Sequence, residues 1–299
     1  MDILITALSQ GSLWALMAMG VYLTYRILGI ADLTAEGSFA TGGAIAAAMI
    51  VAGFPPAIAT AAGVAGGILA GFITGILYTT FKIPGLLSGI LTMTALYSIN
   101  LRIMGRANIP LIHSETIFDF FHGLGIPSQW VSLTTGLLWV LIIVGLLFWF
   151  FNTELGFVLR ATGDNEHMVK AQGINPSLMK ILGLMISNGL IAFSGALIAQ
   201  DSGFADISMG GGAIVIGLAS VIIGEVLFGS ISIEKRLLCV ALGSMVYRMI
   251  IALVLNLGLN PIDLRLMSAV ILALALSSPT LKSTLIKSLK KPESQKGGL

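Results

Sequence analysis

From Gly37 to Phe81 the chain carries no Asp, Glu, Lys, Arg or His. A helix needs about 20 apolar residues to cross roughly 30 Å of hydrocarbon. The run therefore holds two crossings, with Pro55-Pro56 where the chain would turn between them. The rest of the 299 residues follow the same pattern. Hydrophobic residues make up 56% and charged residues only 10%, at a mean hydropathy of +0.98. An ordinary soluble domain is about 25% charged, so these charges are too few to cover a soluble body of this size. The sixteen Lys+Arg and fourteen Asp+Glu fall between apolar tracts, and the net charge of +2 builds no basic face for nucleic acid. The single cysteine, Cys239, lies in an apolar stretch and excludes a disulfide within the chain.

Apolar length and its breaks predict an all-α, polytopic membrane protein of about nine transmembrane helices. The predicted spans are Ile3 to Tyr25, Asp32 to Ala52, Ala57 to Thr80, Pro84 to Met104, Val131 to Phe151, Ser177 to Ala199, Ala213 to Ser232, Leu237 to Asn256 and Ile262 to Ser278. The first lacks a positive n-region and is longer than the apolar core of a cleaved signal, so it is read as a span. Gly105 to Trp130 is more polar and is predicted to be a loop outside the membrane, with room for a short interfacial helix. Residues 1–281 read as one transmembrane domain and 282–299 as a basic tail lying along anionic lipid.

Cations choose an orientation. Arg26, Lys82, the Arg160 to Lys180 region, Lys235-Arg236 and the lysines after Pro279 fall on one side. The positive-inside rule then puts the N-terminus outside and the C-terminus in the cytoplasm. Arg102, Arg106 and Arg265 are exceptions at outer ends, where they can snorkel. Glycines of the third span, at 63, 66, 67, 71 and 75, suit close helix packing.

Two stretches echo each other. Ala31-Asp32-Leu33-Thr34 precedes a small-residue run that includes Glu36 and Gly37. Ala205-Asp206-Ile207-Ser208 precedes Gly210-Gly211-Gly212-Ala213. Each follows one span, and the two lie on opposite sides, as an inverted repeat with broken helices requires. Irregular backbone is tolerated at depth only inside protein or beside a water-filled cavity. Asp32, Thr34, Glu36, Asp206 and Ser208 are therefore candidates to line a pathway. Against lipid, an acid at mid-helix costs about 2.5–3.5 kcal/mol. The plainer alternative seats Asp32 and Glu36 in the headgroup region beside Arg26, near span ends. Asn100 and Asn188 are expected to hydrogen-bond between helices, with Asn100 added to the pathway set. Glu225 in the seventh span is a further candidate.

Asn152 to Pro176 is the most polar interior segment. It reads as a short amphipathic helix that Gly163 could break, a second helix capped by Asp164, and a stop at Gly173. Within it "LRATGDNEHMVKAQGIN" resembles the coupling segment of ABC importer permeases of the branched-chain amino acid and simple sugar family. The carriers are Arg160-Ala161, Asp164-Asn165, Ala171 and Gly173-Ile174. "GIADLTAEGSFATGGAIAA" and "GLASVIIGEVLFGS" resemble the same family's early and late segments. The "DLTAEGSF" wording is most similar to permeases paired with aromatic amino acid-binding lipoproteins.

The resemblance implies a homodimeric permease of the bacterial cytoplasmic membrane, working by alternating access. A cytoplasmic ATPase would dock on Arg160, Gly163, Asp164, Asn165, Ala171 and Gly173, and an extracytoplasmic binding protein would deliver an aromatic or branched-chain amino acid. No G-x-x-x-x-G-K-[ST] loop is present, so ATP hydrolysis would fall to the partner. No cofactor or metal is called for. A sugar or nucleoside permease of the same family is an alternative. An ion-coupled secondary transporter is another, although it would place acids at the midplane and leave the polar segment without a role. An intramembrane enzyme needs converging reactive groups. His113, His122 and His167 all lie outside the spans.

Overall fold

The computed structural model describes residues 2–256 except 113, 124 and 229–232, together with positions 266, 267, 269, 270, 272 and 273. Those last six positions are helical and fall in the ninth predicted span; the rest of that span, Arg265 and the basic tail lie outside the described residues. Eight apolar helices occupy the other predicted spans, seven of them long enough to cross a membrane.

Helix α1 (Asp2–Tyr22) ends in a π-helical turn, Leu23–Ile27, and together they form the first span. Residues 28–33 are irregular. Then follow α2 (Thr34–Val51), α3 (Pro56–Thr79) and α4 (Gly85–Met104). Proline opens α3 where its missing N–H costs nothing. The predicted loop holds strand β1 (Asn108–Pro110) and the short helix α5 (Ile117–Gly123). After it come α6 (Ser128–Phe151), α7 (Glu154–Asp164), α8 (Glu166–Ala171) and α9 (Pro176–Ser202). Strand β2 (Phe204–Asp206), α10 (Ala213–Phe228) and α11 (Ile233–Asn256) complete the described chain.

The strands are an addition to the all-α expectation. They pair antiparallel, with Asn108 opposite Asp206 and Pro110 opposite Phe204.

α9 is the central helix. Its neighbours α1, α2 and α3 approach on small residues: Gly67 and Gly71 of α3 sit on the backbone of Asn188 and Leu184, and Gly195 of α9 sits on Phe39 of α2. α1 runs antiparallel to α9, because Gln10 bonds Asp201, Ser194 bonds the Leu13 carbonyl and Ser187 bonds the Gly20 carbonyl. Exchanging α1, α2 and α3 for α9, α10 and α11 preserves the packing: α2 and α3 lie on α9, and α10 and α11 lie on α1. Exchanged helices run in opposite directions, which is the contact pattern of an inverted repeat.

In the polar segment two details differ from expectation. Gly163 does not break a helix; it lies inside α7, where it packs against the Ile27 carbonyl with no room for a Cβ. The cap of α8 is Asn165, not Asp164: its Oδ1 accepts from the Met168 amide at 3.1 Å. Gly173, at φ +82°, ends the unit as expected. Asn175 then caps α9, accepting from Ser177 N at 3.0 Å.

Candidate functional site

The echo seen in the sequence is a pair of identical turns. Asp32 Oδ1 accepts from the Thr34 amide at 2.9 Å. Asp206 Oδ1 accepts from the Ser208 amide at 2.8 Å and from the Ser208 hydroxyl. Each aspartate accepts from the backbone amide two residues on, which short polar side chains do well; Thr34 opens α2, whereas turn residues separate Ser208 from α10.

Their surroundings differ. Asp32 is 3% exposed. Its second oxygen accepts from Asn188 Nδ2 at 2.8 Å, and Asn188 Oδ1 accepts from Ser38 at 2.7 Å. Thr34 joins a hydroxyl chain with Thr74 at 2.7 Å and on to Thr92 at 2.9 Å. Asn188 lies at mid-length of α9 and against Gly67 at mid-length of α3. The carboxyl therefore sits deep in the bundle, not near a span end. It is not beside Arg26 either, because Arg26 pairs with Glu225 at 2.9 Å. That pair also gives Glu225 a structural partner. A buried carboxyl is costly unless it is hydrogen-bonded, and each oxygen of this one accepts a bond.

Asp206 is partly exposed at the rim of the bundle, and Asn108 of β1 approaches its other oxygen at 3.4 Å. The Ser208 hydroxyl holds its carboxyl below the usual carboxylate range.

Between the two turns lies Glu36. Its Oε1 accepts from the Gly212 amide at 3.0 Å, and Gly210 presses on its carbonyl where a Cβ would collide. The starts of α2 and α10 thus meet at one carboxylate, near the positive ends of two helix dipoles. The junction opens into a cleft of about 500 Å³. Glu36, Asn100 and Ser208 line it, with Met93, Thr94, Tyr97 and Ser98 of α4 on the far wall. Of the six predicted pathway residues, the cleft gathers these three. Asp206 stands at its edge, one residue from Ile207 in the wall, and Asp32 and Thr34 lie behind it.

Asn188 bonds between helices as expected. Asn100 departs from that expectation: it is 1% exposed, and its Oδ1 has no partner among the described residues. Apart from Asn100, the α4 wall escaped the sequence reading, although Met93, Tyr97 and Asn100 are spaced i, i+4, i+7 and mark one helical stripe.

The polar segment lies at the opposite end. Asp164, Asn165, Ala171 and Gly173 are exposed, and Arg160 lies over the Phe157 ring at 4.5 Å. Through Gly163, α7 sits on Ile27 and Leu28, which lead directly into the Asp32 turn. Lys180 ties α9 to Glu166 of α8 at 2.6 Å. Among the described residues no group of His, Cys, Asp or Glu could hold a metal ion.

Residues 3–276 match the family described as branched-chain amino acid transport system / permease component. The chain belongs to this permease family. It is 42% identical to a tyrosine transport system permease protein of Clostridioides difficile (strain R20291), over 95% of this chain and 94% of that one. It is 36% identical to an uncharacterised protein of Rickettsia prowazekii (strain Madrid E), over 93% of this chain and 98% of the other. The ribose import permease protein of Escherichia coli (strain K12) is more distant, at 25% identity over 74% of this chain and 68% of that one. No solved structure matches the chain. Family and architecture together make it a multi-span membrane permease, not an enzyme.

Proposed function

We propose that this permease is the membrane-spanning subunit of an ATP-driven importer for an amino acid with an aromatic side chain. The cleft between α2, α4 and residues 207–212 is its translocation site. The observation that carries the reading is the seat of α7 on Ile27 and Leu28. It joins an exposed two-helix segment to the turn that positions Glu36, with no other element between. A cytoplasmic ATPase docks on that segment, around Arg160, Gly163, Asp164, Asn165, Ala171 and Gly173. Its closure tilts α7, moves the Asp32 turn and shifts the start of α2 against α10, so the cleft opens to one side at a time. An extracytoplasmic binding protein delivers substrate at the β1–β2 end, and a second copy of the chain completes the pathway. The N-terminus lies outside and the α7–α8 segment in the cytoplasm of the bacterial cell. The relative named as a tyrosine transport permease, similar over nearly the whole chain, supports the aromatic substrate.

Depth alone does not separate this reading from an ion-coupled carrier, since Asp32 lies beside Asn188 at mid-length of α9. The bonds from Thr34 and Asn188, one to each of its oxygens, support a structural role for Asp32 in holding the turn.

The test is recovery of the tagged protein from gently solubilised membranes, then reconstitution with whatever co-purifies. A P-loop ATPase, a binding protein and ATP-dependent uptake of radiolabelled tyrosine are expected. Uptake by the chain alone under an ion gradient would overturn the importer. ATP-dependent uptake of ribose without tyrosine would overturn the substrate only.

A further inference from the structure

A second opening lies away from the cleft. α3 packs on α9 and α6 packs on α1, which leaves a groove between α3 and α6 with α9 as its floor. Its lower part, about 490 Å³, is lined by Val64 and Ile68 of α3, Trp139 and Ile143 of α6, and Gly189 and Phe193 of α9. Its upper part, about 610 Å³, shares Ala57, Ile117 and Trp139 with the lower. There it passes under α5, between Phe121 and Pro56, and its mouth carries Glu115 and Asp119.

The dimensions fit one leaflet. The deepest lining residue on α9 is Ile186, near the helix middle, and Gln200 lies at the level where α5 begins, its Oε1 accepting from the Ile117 amide at 3.0 Å. At 1.5 Å per residue that is about 21 Å along α9, against about 15 Å for half of the hydrocarbon core. An apolar groove at this depth meets lipid, not water. Trp139 Nε1, buried where the two parts join, has no acceptor among the described residues, and an indole N–H normally finds one when buried. The mouth is acidic. Asp119 spends one oxygen on the Thr116 amide and hydroxyl, whereas Glu115 is exposed and makes no ion pair among the described residues. Neither part is lined by Lys or Arg.

We infer that this groove is a lipid site that selects phosphatidylethanolamine. One acyl chain lies between α3 and α6, the Trp139 N–H meets an ester carbonyl, and the ammonium of the headgroup meets Glu115 and Asp119. An anionic headgroup without an ammonium would face two carboxylates and no cation.

The test places the full-length protein in nanodiscs of equal phosphatidylethanolamine and phosphatidylglycerol. It is then taken into mild detergent, and the retained lipid is read by native mass spectrometry. Wild type should retain phosphatidylethanolamine over phosphatidylglycerol by roughly two- to fivefold, the scale of one exposed ion pair. Ala61→Phe, which fills the lower groove from an exposed position on α3, should lower retention of both lipids. Glu115→Lys, outside the groove's apolar part, should keep the total and shift the preference towards phosphatidylglycerol. Retention in the bulk ratio by wild type, or an unchanged preference in Glu115→Lys, would overturn the headgroup assignment. Full retention by Ala61→Phe at an unchanged gel-filtration profile would overturn the groove itself.

Discussion

Asp32 and Asp206 open the same turn, two residues before a Thr or Ser whose amide they accept, and the bundle treats them in opposite ways. The first is walled in by α3, α4 and α9, with each of its oxygens accepting a hydrogen bond, one from Thr34 and one from Asn188. The second lies at the rim, pinned only by its own turn and by Asn108. One local device thus does two jobs. The inner turn joins the residues under α7 to the start of α2, while the outer turn stands at the edge of the cleft. Burial, not the motif, decides which.

Substitutions on the two sides should break or sharpen that contrast. Gly163→Val should have the largest effect, because the new side chain collides with Ile27 and moves the inner turn. Uptake in proteoliposomes carrying the partner subunits should be abolished while the protein stays in the membrane. ATPase activity still stimulated by the binding protein in that variant would count against docking at α7. Asp32→Asn should come next. It sets an amide N–H against the donors of Thr34 or Asn188, a loss of about 1–3 kcal/mol, and uptake should fall about tenfold with assembly retained. Wild-type uptake there would remove Asp32 from the pathway machinery. Glu36→Gln keeps an acceptor for Gly212 but loses the charge between two helix N-termini; uptake should drop a few-fold, with a raised KM if the cleft holds an ammonium group. Unchanged kcat and KM would mean that Glu36 only holds α2 to α10.

Asp206→Asn should be mildest at neutral pH. Because the folded carboxyl titrates below its ordinary value, the stability that the turn adds is full above the usual carboxylate range. It is lost as pH falls through the depressed folded value. Thermal unfolding compared at about pH 7 and about pH 3 should show a smaller acid-side loss in Asp206→Asn than in wild type. An equal loss in both would show that the outer turn contributes nothing through its charge.

Most of the bundle was legible because apolar length announces a membrane helix whatever its neighbours. The eight apolar helices among the described residues sit where apolar runs and proline breaks put them. Three-residue strands carry no such signal: β1 and β2 exist because residues almost a hundred positions apart are brought edge to edge. Depth was illegible too. Residues 28–33 read as a link at a span end, but they fold back into the bundle, so Asp32 lies beside mid-helix Asn188. Gly163 looked like a helix breaker because a glycine's reason to be in a helix can lie on another element, here Ile27. Asn100 shows the reverse case: its position on the α4 stripe was readable, its missing partner was not.

The β1–β2 pairing has a mechanical consequence. It straps the end of α4 to the start of the 207–212 segment, and these are two walls of the same cleft. With that strap in place the two walls would move together as a fixed jaw at the β1–β2 end. Any widening has to come from the base, where α2 meets α10, or from a surface brought by another molecule. A disulfide engineered across Asn108 and Asp206 would then cost the transport cycle little, whereas the same lock between Glu36 and Gly212 would stop it.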